Sequence, residues 1–207
     1  VQRYVLLTTL GRRDSSLAIE PYLARRWRWS EGGRRLTFSI TGAPRWHDGV
    51  PTTAGDAAWT LARAREDAIG YPRRNDLADL QAVTAPDDTT LVLDFATAPG
   101  SIPDVLNDLA ILPRHLLDTV PVARLRQADW QEAPVGNGPF RFVAHEPNRR
   151  WVFARNPDFP AALGGPPVLA RLVIAVVDEP MTKLAALTAW ELDFAGIQPA
   201  HAAFVAR

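Results

Sequence analysis

Proline and glycine punctuate this sequence so often that no long helix can run through it. With 18 prolines and 13 glycines in 207 residues, a missing amide hydrogen or an unrestrained backbone interrupts almost every stretch, and the elements between must be short. Apolar residues make up 47% of the chain and charged residues 22%, so a core can form, and neither disorder nor a fibrous repeat fits. At roughly 150 residues per domain the length allows one large domain or two small ones. The 23 basic and 23 acidic side chains cancel, and no Lys/Arg run dominates a helix, which removes the footprint of a general nucleic-acid binder. The longest purely apolar run, LVIAVV at 172–177, is far below the roughly 20 residues that span a bilayer.

The chain has no cysteine, which excludes disulfides, thiolate metal sites and cysteine nucleophiles together. The opening VQRYVLLTTLGRRDSS is too polar and brief for a signal peptide, which leaves a cytosolic protein or a mature or trimmed piece. Val1, Val5 and Leu6 share a helical face without a cap, the pattern of a tail whose element begins upstream.

After a turn over 11–16, the alternation of Trp27 and Trp29, the cluster SEGGRR and the alternation of Leu36, Phe38 and Ile40 predict a hairpin. Thr53 and Asp56 form a capping box, with Ala57, Leu61, Ala64 and Ala68 at helical spacing before Gly70 and Pro72 stop the run. A second hairpin is expected from 83–85 and 91–95 around PDDTT, with Leu91, Leu93 and Phe95 on one face. Ser101 with Asp104 marks one short helix and Pro113 the first turn of another containing His115. EAPVGNGP at 132–139 is the strongest break, placed as a subdomain boundary. Beyond it come paired strands FRFVAHE and WVFARN, a buried strand LARLVIAVV, a helix over 179–190 and a short strand over 192–195. The order gives an α/β pattern with mixed pairing.

No catalytic constellation stands out. His47, His115, His145 and His201 are scattered without i,i+4 partners, unlike metal ligands. His47 beside Asp48 reads as a turn in which Asp48 accepts backbone hydrogen bonds and Gly49 takes positive φ. GNGP at 136–139 lacks phosphate-loop spacing and leads into a strand, and none of the five serines lies in G-x-S-x-G. Seven tryptophans serve either a core or a stacking groove; core packing is the better reading for most, including Trp27 and Trp46.

Taken in order, these landmarks resemble the family 5 extracellular solute-binding proteins of ABC importers, the group of oligopeptide- and dipeptide-binding proteins. The resemblance rests on YLARRW at 22–27, LTFSI with RWHDGVPTTAGDAAW up to Trp59, PVGNGPFRF at 134–142, RNPDF at 155–159 and KLAALTAWELDFA at 183–195. Trp190 stands where the family commonly has Gly, and Pro160 where an aromatic is usual; the tract 65–82 and the tail after Ala195 match loosely. The resemblance implies an α/β, mixed-sheet lobe of a type II periplasmic-binding-protein-like fold, incomplete because the second lobe is absent and the initial strand missing. It implies an N-terminal remnant of the main subdomain at 1–20, an inserted α+β subdomain at 21–131 and a continuation of the main subdomain at 132–207 up to the hinge crossover.

By the same resemblance the chain is no enzyme. It is a monomeric component that captures a small solute, an oligopeptide foremost, at the periplasmic or extracellular face of the membrane and passes it to permease subunits, without cofactor, metal or nucleic acid. Lobe contacts are expected from Tyr71, in the loop after the capped helix, and from Gly196, Ile197 and Gln198, leaving the final strand. Tyr71 offers apolar area with one polar handle. Two alternatives stay open: a solute-sensing module of a cytosolic transcription regulator, and, more weakly, an enzyme whose catalytic residues lie in other segments. The identity of the solute is not legible.

Overall fold

The structure is a computed structural model that describes residues 5–199. Strands β1 (Gly11–Arg13) and β2 (Ile19–Pro21) form an antiparallel hairpin with Gly11 opposite Pro21. The sequence pattern shows only a turn here, because three-residue strands carry no readable alternation. Asp14 organises the turn: its carboxylate accepts the Ser16 hydroxyl at 2.7 Å and the amides of Ser16 and Ala18 at 2.8 and 2.9 Å. These bonds, led by the Ser16 hydroxyl, hold its carboxyl below the usual range.

The first expected hairpin is present as β3 (Ala24–Ser30) and β4 (Arg35–Ile40), with Trp27 opposite Phe38 and Trp29 opposite Leu36. Its connection needs the two glycines, since Gly32 and Gly33 take φ of 64° and 84°. The second hairpin is β5 (Leu80–Asp87) and β6 (Thr90–Phe95), and the four strands form one antiparallel sheet in the order β3-β4-β6-β5. Pairing Leu36 with Leu93 and Phe38 with Leu91 puts four apolar side chains on one face. All are buried, with Ile40 and Phe95 beside them.

Helix α1 (Ala54–Ala64) lies against β5 and β6 and buries Ala54, Ala57, Leu61 and Ala64. Its capping box is present. The Asp56 carboxylate takes the Thr53 amide at 2.8 Å, the Trp46 indole N–H at 3.4 Å and the Arg114 amide at 3.0 Å. It thus ties three segments together as well as capping a helix. The helix stops before Ala68 because Glu66 turns extended, and a 3-10 turn (Asp67–Ile69) closes on left-handed Gly70.

Two single-turn helices follow, α2 (Val105–Asp108) and α3 (Arg114–Leu117). Asp104 flanks α2 without capping it, since its carboxylate pairs with Arg13 at 2.6 Å; Pro113 is the N-cap of α3 rather than part of its first turn. Of the tryptophans, Trp46 and Trp59 are buried, whereas Trp27, Trp29, Trp130 and Trp151 are half-buried and Trp190 exposed. The core reading therefore holds in full for Trp46 and only in part for Trp27, whose ring lies 6.1 Å from that of Phe38.

The break at 132–139 is a packed junction. Leu6 O accepts from the amides of Asn137 and Gly138 at 3.1 and 2.8 Å, and Asn137 Oδ1 accepts from Thr8 N at 2.9 Å. A Cβ on Gly136 would stand 2.0 Å from Leu6 O, so the two backbones meet only if that residue is glycine.

Strands β7 (Phe140–Glu146), β8 (Arg150–Arg155) and β9 (Arg171–Ala175) form the third sheet in that order. β9 was expected to be buried and is not: its residues alternate between half-buried and exposed, with Val173 46% exposed, because it is an edge strand. Helix α4 (Pro180–Thr188) starts as expected at Glu179, whose carboxylate accepts from the Thr182 amide. The strand expected over 192–195 does not form; no described strand pairs with this stretch, and Phe194 is 89% exposed. The chain divides into two compact units, Val1–Val143 with Phe153–Leu172, and Ala144–Val152 with Val173–Arg207. Of the uncapped opening face, Val5 is helical and Leu6 buried; Val1 and His201 lie outside the described residues.

Candidate functional site

Tyr71 follows left-handed Gly70 in the loop after α1, half-buried, with its carbonyl accepting from Arg74 N at 3.1 Å. Gly196, Ile197 and Gln198 run consecutively without regular structure; Gly196 and Gln198 are exposed and Ile197 half-buried. Tyr71 belongs to the first unit and the other three to the second.

The histidine region is an ordered joint. Gly49 takes φ of 94°, its amide bonds Trp46 O at 2.8 Å, and Asp48 accepts from Val50 N at 3.2 Å, which is the turn expected from the sequence. His47 reaches across to the GNGP segment: Nδ1 accepts from Gly136 N at 3.2 Å and Nε2 lies 3.1 Å from Gly138 O. Those partners require the neutral ring protonated on Nε2. Burial pushes its pKa down to about 4.

Asp48 Oδ2 meets His115 Nε2 at 2.7 Å across 67 positions, a pairing no local spacing reveals. It supplies a base and an orienting carboxylate, yet no serine or threonine hydroxyl bonds either side chain among the described residues, so the third element of nucleophilic catalysis is missing there. Nor do three or more His, Asp or Glu side chains gather as metal ligands among the described residues.

The first unit contains a cleft of about 480 Å³, within the size range of small-molecule sites. β1 and the residues before it, Tyr22 just after β2, α2, Pro139 and the loop after β8 form its walls. Arg12, Tyr22 and Asn107 supply polar groups, and Leu7, Phe159 and Leu163 an apolar floor. The Arg12 guanidinium lies 5.2 Å from the centre of the Tyr22 ring and its Nε donates to Glu20. Burial raises the Tyr22 phenol above its usual pKa. Sequence reasoning missed this cleft because its residues come from five separate stretches, and the motifs that include Tyr22, Pro139 and Phe159 do not show that they meet.

Against this geometry, the family model described as Bacterial extracellular solute-binding proteins, family 5 Middle, matches residues 18–207. The chain belongs to that family. A Brucella ovis protein named for peptide binding in ABC transport is 32% identical over 173 residues, covering 83% of this chain and 32% of the relative. The oligopeptide-binding protein AppA of Bacillus subtilis, solved with a nonapeptide, superposes with a TM-score of 0.91 at 23% identity over 98% of this chain and 40% of its own. An oligopeptide-binding protein of Thermotoga maritima, solved with mannohexaose, gives a TM-score of 0.79 at 26% identity over 91% of this chain and 35% of its own. The chain spans about a third of the length of the curated relatives it matches. These likenesses establish the type II binding-protein lobe expected from the motifs.

Proposed function

We propose that this chain is the first-lobe part of the substrate-binding component of an ABC importer, which captures a small solute outside the cytoplasmic membrane and delivers it to permease subunits. The family match over 18–207 carries the reading. Peptides are the foremost solute class, supported by the names of the Brucella and Bacillus relatives, and the Thermotoga protein's mannohexaose supports oligosaccharide as a second class to test. The regulator alternative has no counterpart among these relatives. No described helix is long and apolar enough to cross a membrane.

Within this reading 1–20 and 132–207 form the main subdomain, 21–131 are inserted into it, and the protein works as a monomer. Tyr71, Gly196, Ile197 and Gln198 form this lobe's wall of the solute site, and hinge closure against a second lobe completes it. The work is binding, so no bond is made or broken.

Calorimetry of the full-length gene product against a mixed peptide and oligosaccharide panel tests the proposal. Micromolar binding of one class, weakened about tenfold by Tyr71→Ala or Gln198→Ala, is expected. Binding unaffected by either variant removes the residue assignment, and turnover of a peptide or ester would replace the importer reading with an enzyme.

A further inference from the structure

The first unit's cleft holds an anomaly that solute capture at Tyr71 and Gln198 does not use. Asn107 is 6% exposed, and its Nδ2 has no hydrogen-bond partner among the described residues. A buried amide donor left unpaired is costly and rare, and the side chain that carries it lines the cleft. The side chain is wedged in place, since a Cβ on Gly11 would stand 2.4 Å from Asn107 Oδ1. Only a glycine at position 11 lets the amide sit there.

A second set of open donors lines the same space. Arg12 Nε bonds Glu20, while its two terminal nitrogens form no hydrogen bond with a described residue. They form a planar fork matched to a carboxylate. The rim beside them is bare: Gly164 takes φ of 114°, and even a Cβ there would lie 4.0 Å from Arg12 Nη1. The phenol of Tyr22, un-ionised at neutral pH as an ordinary tyrosine is, remains a donor. Asp108, the acidic residue of the lining, is paired with Arg73. Below the donors, Leu7, Phe159 and Leu163 are each at most 5% exposed and give an apolar floor.

We propose that this cleft binds a small monocarboxylate with an apolar body, its carboxylate held by Arg12 and Asn107 and its body against Phe159 and Leu163. The ligand is about the size of one amino-acid residue, and its site lies wholly within the first unit. It includes neither Tyr71 nor residues 196–198 and does not depend on closure of a second lobe.

The test is titration calorimetry of the protein with N-acetyl-leucine and with its uncharged analogue N-acetyl-leucinamide. The acid is expected to bind at least about tenfold more tightly than the amide. Asn107→Asp, which keeps the shape but presents a negative charge, and Arg12→Gln, at a half-exposed position, should each weaken the acid about tenfold or more. Melting curves identify a variant that fails to fold, and Arg12→Gln stands as the second probe if Asn107→Asp does so. Equal affinity for acid and amide, no heat with either, or indifference to both substitutions overturns the proposal. Tyr71→Ala should leave this titration unchanged; its loss in that variant would place the acid at the solute site, overturning the cleft assignment while the importer reading stands.

Discussion

The sheet of β3 to β6 and the segment from β9 to Phe194 are both rich in apolar residues, and they come to opposite ends. In the first, Leu36, Phe38, Leu91 and Leu93 are at most 2% exposed; in the second, Val173, Met181, Trp190 and Phe194 are between 46% and 89% exposed. Hydrophobic character is comparable, so composition does not make the difference. Strand partners and a covering helix do: β4 and β6 are paired on both sides and α1 lies against the sheet, whereas β9 is an edge strand and 192–195 are unpaired. Apolar residues contribute stability only where something covers them.

The sharpest test of covered against uncovered sites uses two glycines outside those regions. Gly136→Ala is expected to cost more than about 4 kcal/mol or abolish folding, because the added methyl would overlap backbone at Leu6 that is itself hydrogen-bonded to 137 and 138. Gly196→Ala, with nothing within 4 Å of its Cβ, should stay within about 0.5 kcal/mol. Equal denaturation midpoints for the two would mean the junction is not packed as described.

Next in size, Phe38→Ala should cost about 4 kcal/mol through cavity formation, and Val173→Ala about 0.5 kcal/mol or less. Urea melts compare them directly. A Val173→Ala cost approaching that of Phe38→Ala would show that β9 is covered in solution.

The same contrast explains what the sequence revealed. Both hairpins of the four-stranded sheet were legible because Trp27, Trp29, Leu36 and Phe38 in the first and Leu91, Leu93 and Phe95 in the second alternate with period two and each turn carries its own chemistry. The capped start of α1 was legible for the same local reason. β1 and β2 were too short to show a period, and the exposure of β9 depends on its neighbours rather than on LVIAVV itself. At the candidate sites, single residues such as Tyr71 came from family resemblance. The Asp48 to His115 contact and the Arg12, Tyr22 and Asn107 cleft join residues tens of positions apart, a distance at which periodicity carries no information.

The two helix caps sharpen the comparison at smaller scale. Asp56→Ala is expected to cost about 3 kcal/mol, beyond the roughly 1 kcal/mol of an ordinary cap, because it leaves the Trp46 indole and the Arg114 amide without an acceptor. Glu179→Ala removes an exposed cap from α4, for about 1 kcal/mol or less. Melts of the two variants that coincide would reduce Asp56 to a simple cap.

The last expected effect is a pH dependence that His47 places in the first unit. Its pKa is about 4 in the folded protein against 6.5 for the free side chain, so between those values the unfolded chain binds a proton that the folded chain refuses. Stability therefore rises with pH through this window and falls as pH drops from 6.5 toward 4. Between pH 7 and pH 5 the loss from this residue is about 2 kcal/mol. The structural cause is that Nδ1 already accepts the Gly136 amide; protonating it forfeits that bond and places a charge in a buried joint. His47→Gln, which does not titrate, lowers stability overall but should flatten the decline between pH 7 and pH 5. Chemical denaturation at several pH values reads the slope, and an equally steep decline in His47→Gln would show that another group sets the acid sensitivity.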